Sequence, residues 1–596
     1  MSRVRKSLPT ATIAAVAALT VALTNPGCRS WQIGYRPHGL PDACAGCLTA
    51  RSVAELLDDS QISSSRATAQ EAAENDDCVD SYFASTRYAW LAAQLADDED
   101  RATGKANNAY RAGLTNLLRT AQHFGRLHPT GGLCIHHGTN VTPVPVRHIG
   151  FAWQPSDFQH LSPPAKHLPA LLRTRYCQPG CGVPLVVTRC RDDNLPLEAR
   201  FYPTQTPFAA TAVLRFGVNS ENDCISSATA VLEFHNPLHR ATIADDDTVP
   251  LASDLTAPLA AIVQEAPRTY FVGFVQPSSG RDQARLLFLE PYQPGKVPVV
   301  MIHGLFSDPQ SWADMINDLR ASPQFSERFQ IWTFRYPTGQ GFLQSAAKLR
   351  AELQSAFQMC DPVGCDPALR KTVLIGHSMG GLLAKMQVTE SEDKLWRRIA
   401  NRPFAEIQAD EAIRQRLQSA CFFTPLPNIS RVIFIATPHC GANSASGAIG
   451  RVASAVVETP PEDAIQHQQL IDANPGVFAD FVQSRLPTSV DLLRPNSPAL
   501  AALREMCVSP SVTLHNIIGV HDPIGPSDGV VPVASAWHPD CQSERSIAAP
   551  HSRVHRSSQA SGEVLDILSR HWADLNCDNL PVIDTVVRPL KTPRPL

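Results

Sequence analysis

Beyond Gly295 the chain alternates short, mostly apolar runs with longer stretches whose apolar residues recur every three or four positions. That alternation predicts strands joined by helices in a largely parallel sheet. The runs cover residues 297–302, 330–334, 372–375, 431–436 and 512–518, and their mostly apolar character suits strands covered on both faces. Between the second and third, Phe342, Ala346, Leu349, Leu353 and Phe357 mark one face of a helix. Two connections, 388–430 and 440–510, are longer than a plain crossover needs, and 390–418 has a helical pattern; both read as insertions that cap a site. Upstream the pattern differs. Tyr110, Leu114, Leu117, Leu118 and Ala121, with Phe83, Trp90, Leu91 and Leu95, predict helices between about 52 and 127. Short runs rich in β-branched and aromatic residues (211–216, 229–234, 269–275, 286–289) predict strands between about 184 and 291. The expected organisation is therefore an export signal (1–27), a mostly helical N-terminal region (28–180), a small β-rich domain (181–291), an α/β domain with cap insertions (292–577) and a proline-rich tail (578–596).

Composition narrows the functional classes. A chain of 596 residues with net charge −4 and both signs interspersed has no basic footprint for nucleic acid. Arg3, Arg5 and Lys6 precede an uncharged run over 11–23, the layout of a signal peptide, so export is expected. The run ends in Asn25, Pro26, Gly27 and Cys28, which resembles the small-residue-then-cysteine ending of a bacterial lipoprotein signal, although Asn25 stands where such signals carry an aliphatic residue. Cys28 is thus a candidate for lipidation and for membrane association through the N-terminus; a short anchor or plain secretion are the alternatives. Sixteen cysteines suit an oxidising compartment, in which most are expected to pair. Cys44 with Cys47 and Cys177 with Cys181 are counted in that set, because they lack the repeated spacing of a structural zinc site. The acidic runs at 97–100 and 245–247 read as solvated turns rather than metal sites.

The chemistry centres on Gly376, His377, Ser378, Met379 and Gly380, a GxSxG pentapeptide that chance alone would supply in about one chain in five of this length. Context gives it weight. It directly follows the apolar run at 372–375 and precedes Gly381, Leu382, Leu383 and Ala384, the strand, sharp turn and helix that lift a serine out as a nucleophile. A serine hydroxyl needs a base. Asp528 opens a turn beyond the last apolar run and is preferred over Asp522 as the acid that would orient a histidine. His551, at the end of a short run over 546–549, is preferred over His555, which would then be a surface residue. His303 and His377 read as packing or supporting residues.

Taken together, His303-Gly304-Leu305-Phe306 at the end of the first strand, the GHSMGG stretch from Gly376 to Gly381, Ala436-Thr437-Pro438-His439-Cys440-Gly441, the Asp528 to Pro532 run and His551 resemble the α/β-hydrolase superfamily and its bacterial lipases and esterases. The likeness covers about 294–572, and Cys440 stands where relatives often have another small residue. It implies an α/β-hydrolase fold and a serine carboxylic-ester hydrolase working through an acyl-enzyme on an ester or lipid substrate, with no metal and no organic cofactor. It also implies backbone N–H donors to the oxyanion from Leu305 and Met379. An acyltransferase using the same residues, and a non-catalytic surface binding protein on the same fold, are the rival readings; oligomeric state is left open.

Overall fold

The computed structural model describes residues 51–167, 172–216, 230–239, 242–243, 246–265, 284–442, 461–521 and 525–577. The expected signal, Cys28, the strand expected at 269–275, Asp522 and the proline-rich tail lie outside them.

Four helices open the described chain: α1 (Val53–Ala72), α2 (Cys78–Leu95), a short helix Asp98–Thr103 formed by the acidic run expected as a turn, and α3 (Lys105–His123). Ser52 and Glu55 form a reciprocal capping box at the start of α1, satisfying amides that have no partner one turn back. The residues expected to form a stripe on α3, Tyr110, Leu114, Leu117, Leu118 and Ala121, are all buried. Strands begin at Leu127, well before the expected boundary at 181. After a three-stranded sheet over 127–144 comes a five-stranded sheet built from β1 (Val146–Ile149), β2 (His160–Ser162), β3 (Val183–Cys190), β4 (Gln205–Phe216) and β5 (Ala230–His235), in the order β1-β5-β4-β3-β2. The early strands escape the pattern because they are short and lie among Pro143, Pro145 and Pro155, so no alternation accumulates. Helices and sheet share one core: Phe216 of β4 packs against Phe83 and Trp90, and the Tyr110 hydroxyl donates to the Leu214 carbonyl at 2.9 Å while accepting the Leu214 N–H at 2.8 Å.

The C-terminal half is a seven-stranded sheet of β6 (Arg285–Phe288), β7 (Val297–Ile302), β8 (Phe329–Arg335), β9 (Thr372–His377), β10 (Ile429–Ile435), β11 (Thr513–Gly519) and β12 (Cys541–Ile547). Its order is β6-β8-β7-β9-β10-β11-β12, parallel throughout except for β6 against β8. Alternate residues feed two cores. Val300, Ile302, Leu374, Val432 and Phe434 face the helices α6 (Phe342–Cys360) and α7 (Met379–Met386). Val299, Met301, Val373, Ile375, Ile433 and Ile517 pack with α5 (Ala313–Arg320) and α11 (Ser558–Cys577), beside α4 (Ala257–Glu265) from the N-terminal half. β6, expected in the β-rich region, instead joins this sheet as its antiparallel edge, with Phe288 stacked on Trp332 at 4.2 Å.

The two long insertions carry α8 (Glu411–Cys421), α9 (Pro461–Ala473) and α10 (Pro498–Glu505) and pack on one another through the ion pairs Arg416–Asp463 and Arg398–Glu505 and the bond from Asn401 N–H to Val477 O. The cysteine pairing expected from the sequence does not appear here: no disulfide joins two of the eleven cysteines whose side chains are described. Cys421 acts as a small core residue, its thiol pushed up to about 12 by burial. Among the described residues no helix is long and apolar enough to cross a membrane.

Candidate active site

Four strands, β7, β9, β11 and β12, deliver the site from beyond their C-terminal ends. β9 runs into Ser378, which takes φ 54° and ψ −125° before α7 begins at Met379. Such a backbone is costly for a residue with a side chain and persists only where the surroundings enforce it. They do. A Cβ on Gly376 would meet the Gly380 carbonyl oxygen at 2.5 Å, and one on Gly380 would meet the Ile302 carbonyl oxygen at 2.2 Å. Both glycines are thus required for β9, α7 and the end of β7 to approach this closely. Ser378 N–H donates to Ile435 O at 2.8 Å, tying the turn to β10.

The hydroxyl of Ser378, which is 7% exposed, lies 2.9 Å from His551 Nε2. On the other side of the ring, Nδ1 is 2.6 Å from Asp528 Oδ2. Nδ1 facing a carboxylate is assigned as the N–H donor, which leaves Nε2 free to accept the serine proton. Asp528 is buried, and its second oxygen accepts the Val530 and Val531 N–H groups at 2.9 and 2.7 Å, while its main-chain carbonyl accepts the His551 N–H at 2.9 Å. The carboxylate is therefore held by its own turn and aimed at one ring nitrogen.

The HGLF loop closes the other side. A Cβ on Gly304 would lie 2.9 Å from Ser378 Cβ, so the main chain preceding Leu305 runs directly against the serine. Met379 opens α7, and its N–H has no carbonyl one turn back to satisfy it. His303 is buried, stacks on Tyr336 at 4.4 Å, and its carbonyl accepts the Tyr336 hydroxyl proton at 2.7 Å. Burial pulls its imidazole down to about 4, so it stays neutral near pH 7.

The structure thus brings together Ser378, His551, Asp528, Met379 and the Leu305 loop; Asp522 lies outside the described residues. His555 is not the surface residue expected. It is 3% exposed, its ring lies 3.9 Å from that of His377 and 5.1 Å from that of Trp312, and desolvation lowers it to about 3. Residues 551–556 form a tight 3-10 turn, which turns His555 inward. His377, expected as a packing or supporting residue, donates its Nε2–H to the His551 carbonyl at 3.0 Å. Burial, followed by the neighbouring His555 and His551 rings, holds its imidazole well below the usual value. Among the described residues no three His, Cys, Asp or Glu side chains converge as a metal site.

Residues 299–559 match the model of the alpha/beta hydrolase family. No curated protein matches the sequence. Similar solved structures include a Bacillus licheniformis lipase in its mature form (16% identity, 46% of this chain and 93% of that one, TM-score 0.28). Another is the Staphylococcus hyicus lipase (13% identity, 48% and 99%, TM-score 0.31). A third comes from a study of carboxylesterases of Nitrososphaera gargenis (14% identity, 51% and 99%, TM-score 0.27). With its mostly parallel sheet and the strand-turn-helix at Ser378, the C-terminal half of this chain is an α/β-hydrolase.

Proposed function

We propose that the C-terminal domain hydrolyses carboxylic esters through an acyl-enzyme on Ser378. The observation that carries this reading is the continuous relay from Ser378 Oγ to His551 to Asp528, with contacts of 2.9 and 2.6 Å. In the first half-reaction Ser378 Oγ attacks the ester carbonyl as His551 Nε2 takes its proton, and Asp528 stabilises the imidazolium that forms. The N–H groups of Met379 and Leu305 receive the oxyanion, each such donor supplying about 3 kcal/mol of transition-state stabilisation. His551 then returns the proton to the departing alcohol. In the second half-reaction water, deprotonated by His551, attacks the acyl group, and collapse of the intermediate releases the carboxylic acid and restores the serine. The charged-then-apolar N-terminus supports export as part of the same proposal, and an ester or lipid as the substrate class.

The test is Ser378→Ala in the full chain. Turnover of a simple aryl ester should fall by roughly ten-thousand-fold or more with the unfolding midpoint unchanged, and a fluorophosphonate probe should label the parent at Ser378 alone. An alanine variant with parental turnover would overturn the assignment.

A further inference from the structure

Asp314, in the first turn of α5, is 4% exposed and divides its carboxylate between two distant parts of the chain. Oδ1 accepts the main-chain N–H of Arg173 at 2.8 Å, and Oδ2 accepts Nε–H of Arg556 at 2.8 Å. Arg556 is the last residue of the 3-10 turn His551–Arg556. The first residue of that turn is the histidine that meets Ser378.

On the N-terminal side the bond belongs to a strap, residues 172–176, laid along α5. Leu172 is buried in the core that α5 lines, the Arg173 side chain pairs with Asp318, and the Tyr176 hydroxyl donates to Asp318 at 2.9 Å. Asn317 Nδ2 donates to Thr174 O at 2.8 Å, and Thr256 Oγ1, which accepts the Tyr176 N–H at 2.8 Å, donates to Asn317 Oδ1 at 3.0 Å. Asp314, Asn317 and Asp318 are therefore all committed to the N-terminal half. At the other end the turn is held where His551 N–H meets Asp528 O and where His377 meets His551 O. His555, directly before Arg556, rests on Trp312, two residues before Asp314.

We infer that Asp314 is a positioning residue for His551, acting through Arg556, and that residues 172–176 of the N-terminal half belong to the support of the site. The inference rests on the reading of Ser378, His551 and Asp528 given above. Its physical basis is that a turn of six residues clamped at both ends transmits a shift at Arg556 to His551, and that a misplacement of about 1 Å in a reacting group costs on the order of a hundredfold in rate. Asn at position 314 keeps the volume but offers one acceptor to two donors, so one of the two bonds is lost.

The experiment compares Asp314→Asn, Arg556→Gln and their combination in the full chain. Each single variant should lower kcat for an aryl ester by about ten- to a hundredfold with KM changed less than about twofold, and the double should lose no more than the worse single. Amide hydrogen exchange across 551–556 should rise in each. Arg189→Gln is the control: it breaks a buried cluster with Asp157 and Glu198 in the N-terminal sheet, and should lower the unfolding midpoint while kcat is kept. Should Asp314→Asn fail to fold, Arg556→Gln carries the test, because that side chain is 46% exposed. Parental kcat in Arg556→Gln and Asp314→Asn beside an inactive Ser378→Ala overturns the inference and leaves the ester-hydrolase reading intact; so do effects that add in the double. If the parent neither turns over esters nor labels with a fluorophosphonate, the ester-hydrolase reading fails instead. Unchanged exchange at 551–556 would then overturn the support role as well.

Discussion

Space around single residues decides how the serine is presented. Ser378 holds a positive φ because β9, α7 and the end of β7 converge there, and they converge because no Cβ intervenes. A methyl group on Gly380 would lie 2.2 and 2.6 Å from the carbonyl oxygens of Ile302 and His303, and main-chain atoms cannot swing aside as a side chain does. Gly380→Ala should therefore destabilise the protein by about 3 kcal/mol, read from urea unfolding. A change within about 0.5 kcal/mol, the range of ordinary surface substitutions, would mean that the end of β7 is free to move. The elbow was legible in the sequence because its demands are local: two glycines, a serine, and the strand and helix patterns on either side. The partner of the serine was not legible to the same degree, since His551 and His555 lie four positions apart in similar surroundings.

At the scale of elements, the ends of three strands each deliver a buried imidazole: His303 after β7, His377 in β9 and His439 beyond β10. Desolvation takes His303 to about 4 and holds His377 and His439 well below the usual value, the latter also through the Lys385 ammonium and His538. His555 in the turn, at about 3, joins them. These rings are neutral in the fold and charge in the unfolded chain below about pH 6.5, so the unfolded state binds more protons. Their contribution is present above that pH and is lost as pH falls from about 6.5 toward 4. Urea midpoints should fall between pH 7 and pH 5, with proton uptake on unfolding. His439 is the sharpest test, because neither ring nitrogen has a partner among the described residues and Phe434 packs at 4.7 Å. His439→Phe should remove up to about 1.4 kcal/mol per pH unit from that slope; an unchanged slope would show that the ring is protonated in the fold. The strands themselves divide by position. β7 to β11 are covered on both faces and were read as apolar runs, whereas β12, Cys-Gln-Ser-Glu-Arg-Ser-Ile, is an edge strand with mostly solvated side chains and carries no such signal.

Across the whole molecule the N-terminal half is not a detachable module. β6 completes the hydrolase sheet, Phe288 lies between Trp332 and Phe201, and Leu172, Leu259 and Ala260 cover residues of the core beneath α5. A chain beginning at Pro291 would leave β8 as a bare edge with Trp332 and Phe334 uncovered, a template for aggregation. Such a fragment should be insoluble or bind a hydrophobic dye strongly, while the full chain does neither. A soluble fragment with cooperative unfolding and parental turnover would contradict this.

The sequence by itself determined what depends on neighbours along the chain: the central parallel strands, the helical faces of α3 and α6, the elbow at Ser378, and the order in which serine, acid and histidine follow. Periodicity and backbone demands within a few residues are enough for these. Only the tertiary structure decided which histidine meets Ser378 across 173 positions, that β6 belongs to the hydrolase sheet, that helices and strands of the N-terminal half share one core, and that Asp314 joins residue 173 to residue 556. Each of these is a contact between segments whose sequences carry no trace of one another, fixed by how buried surfaces and hydrogen-bond donors find partners once the chain is packed.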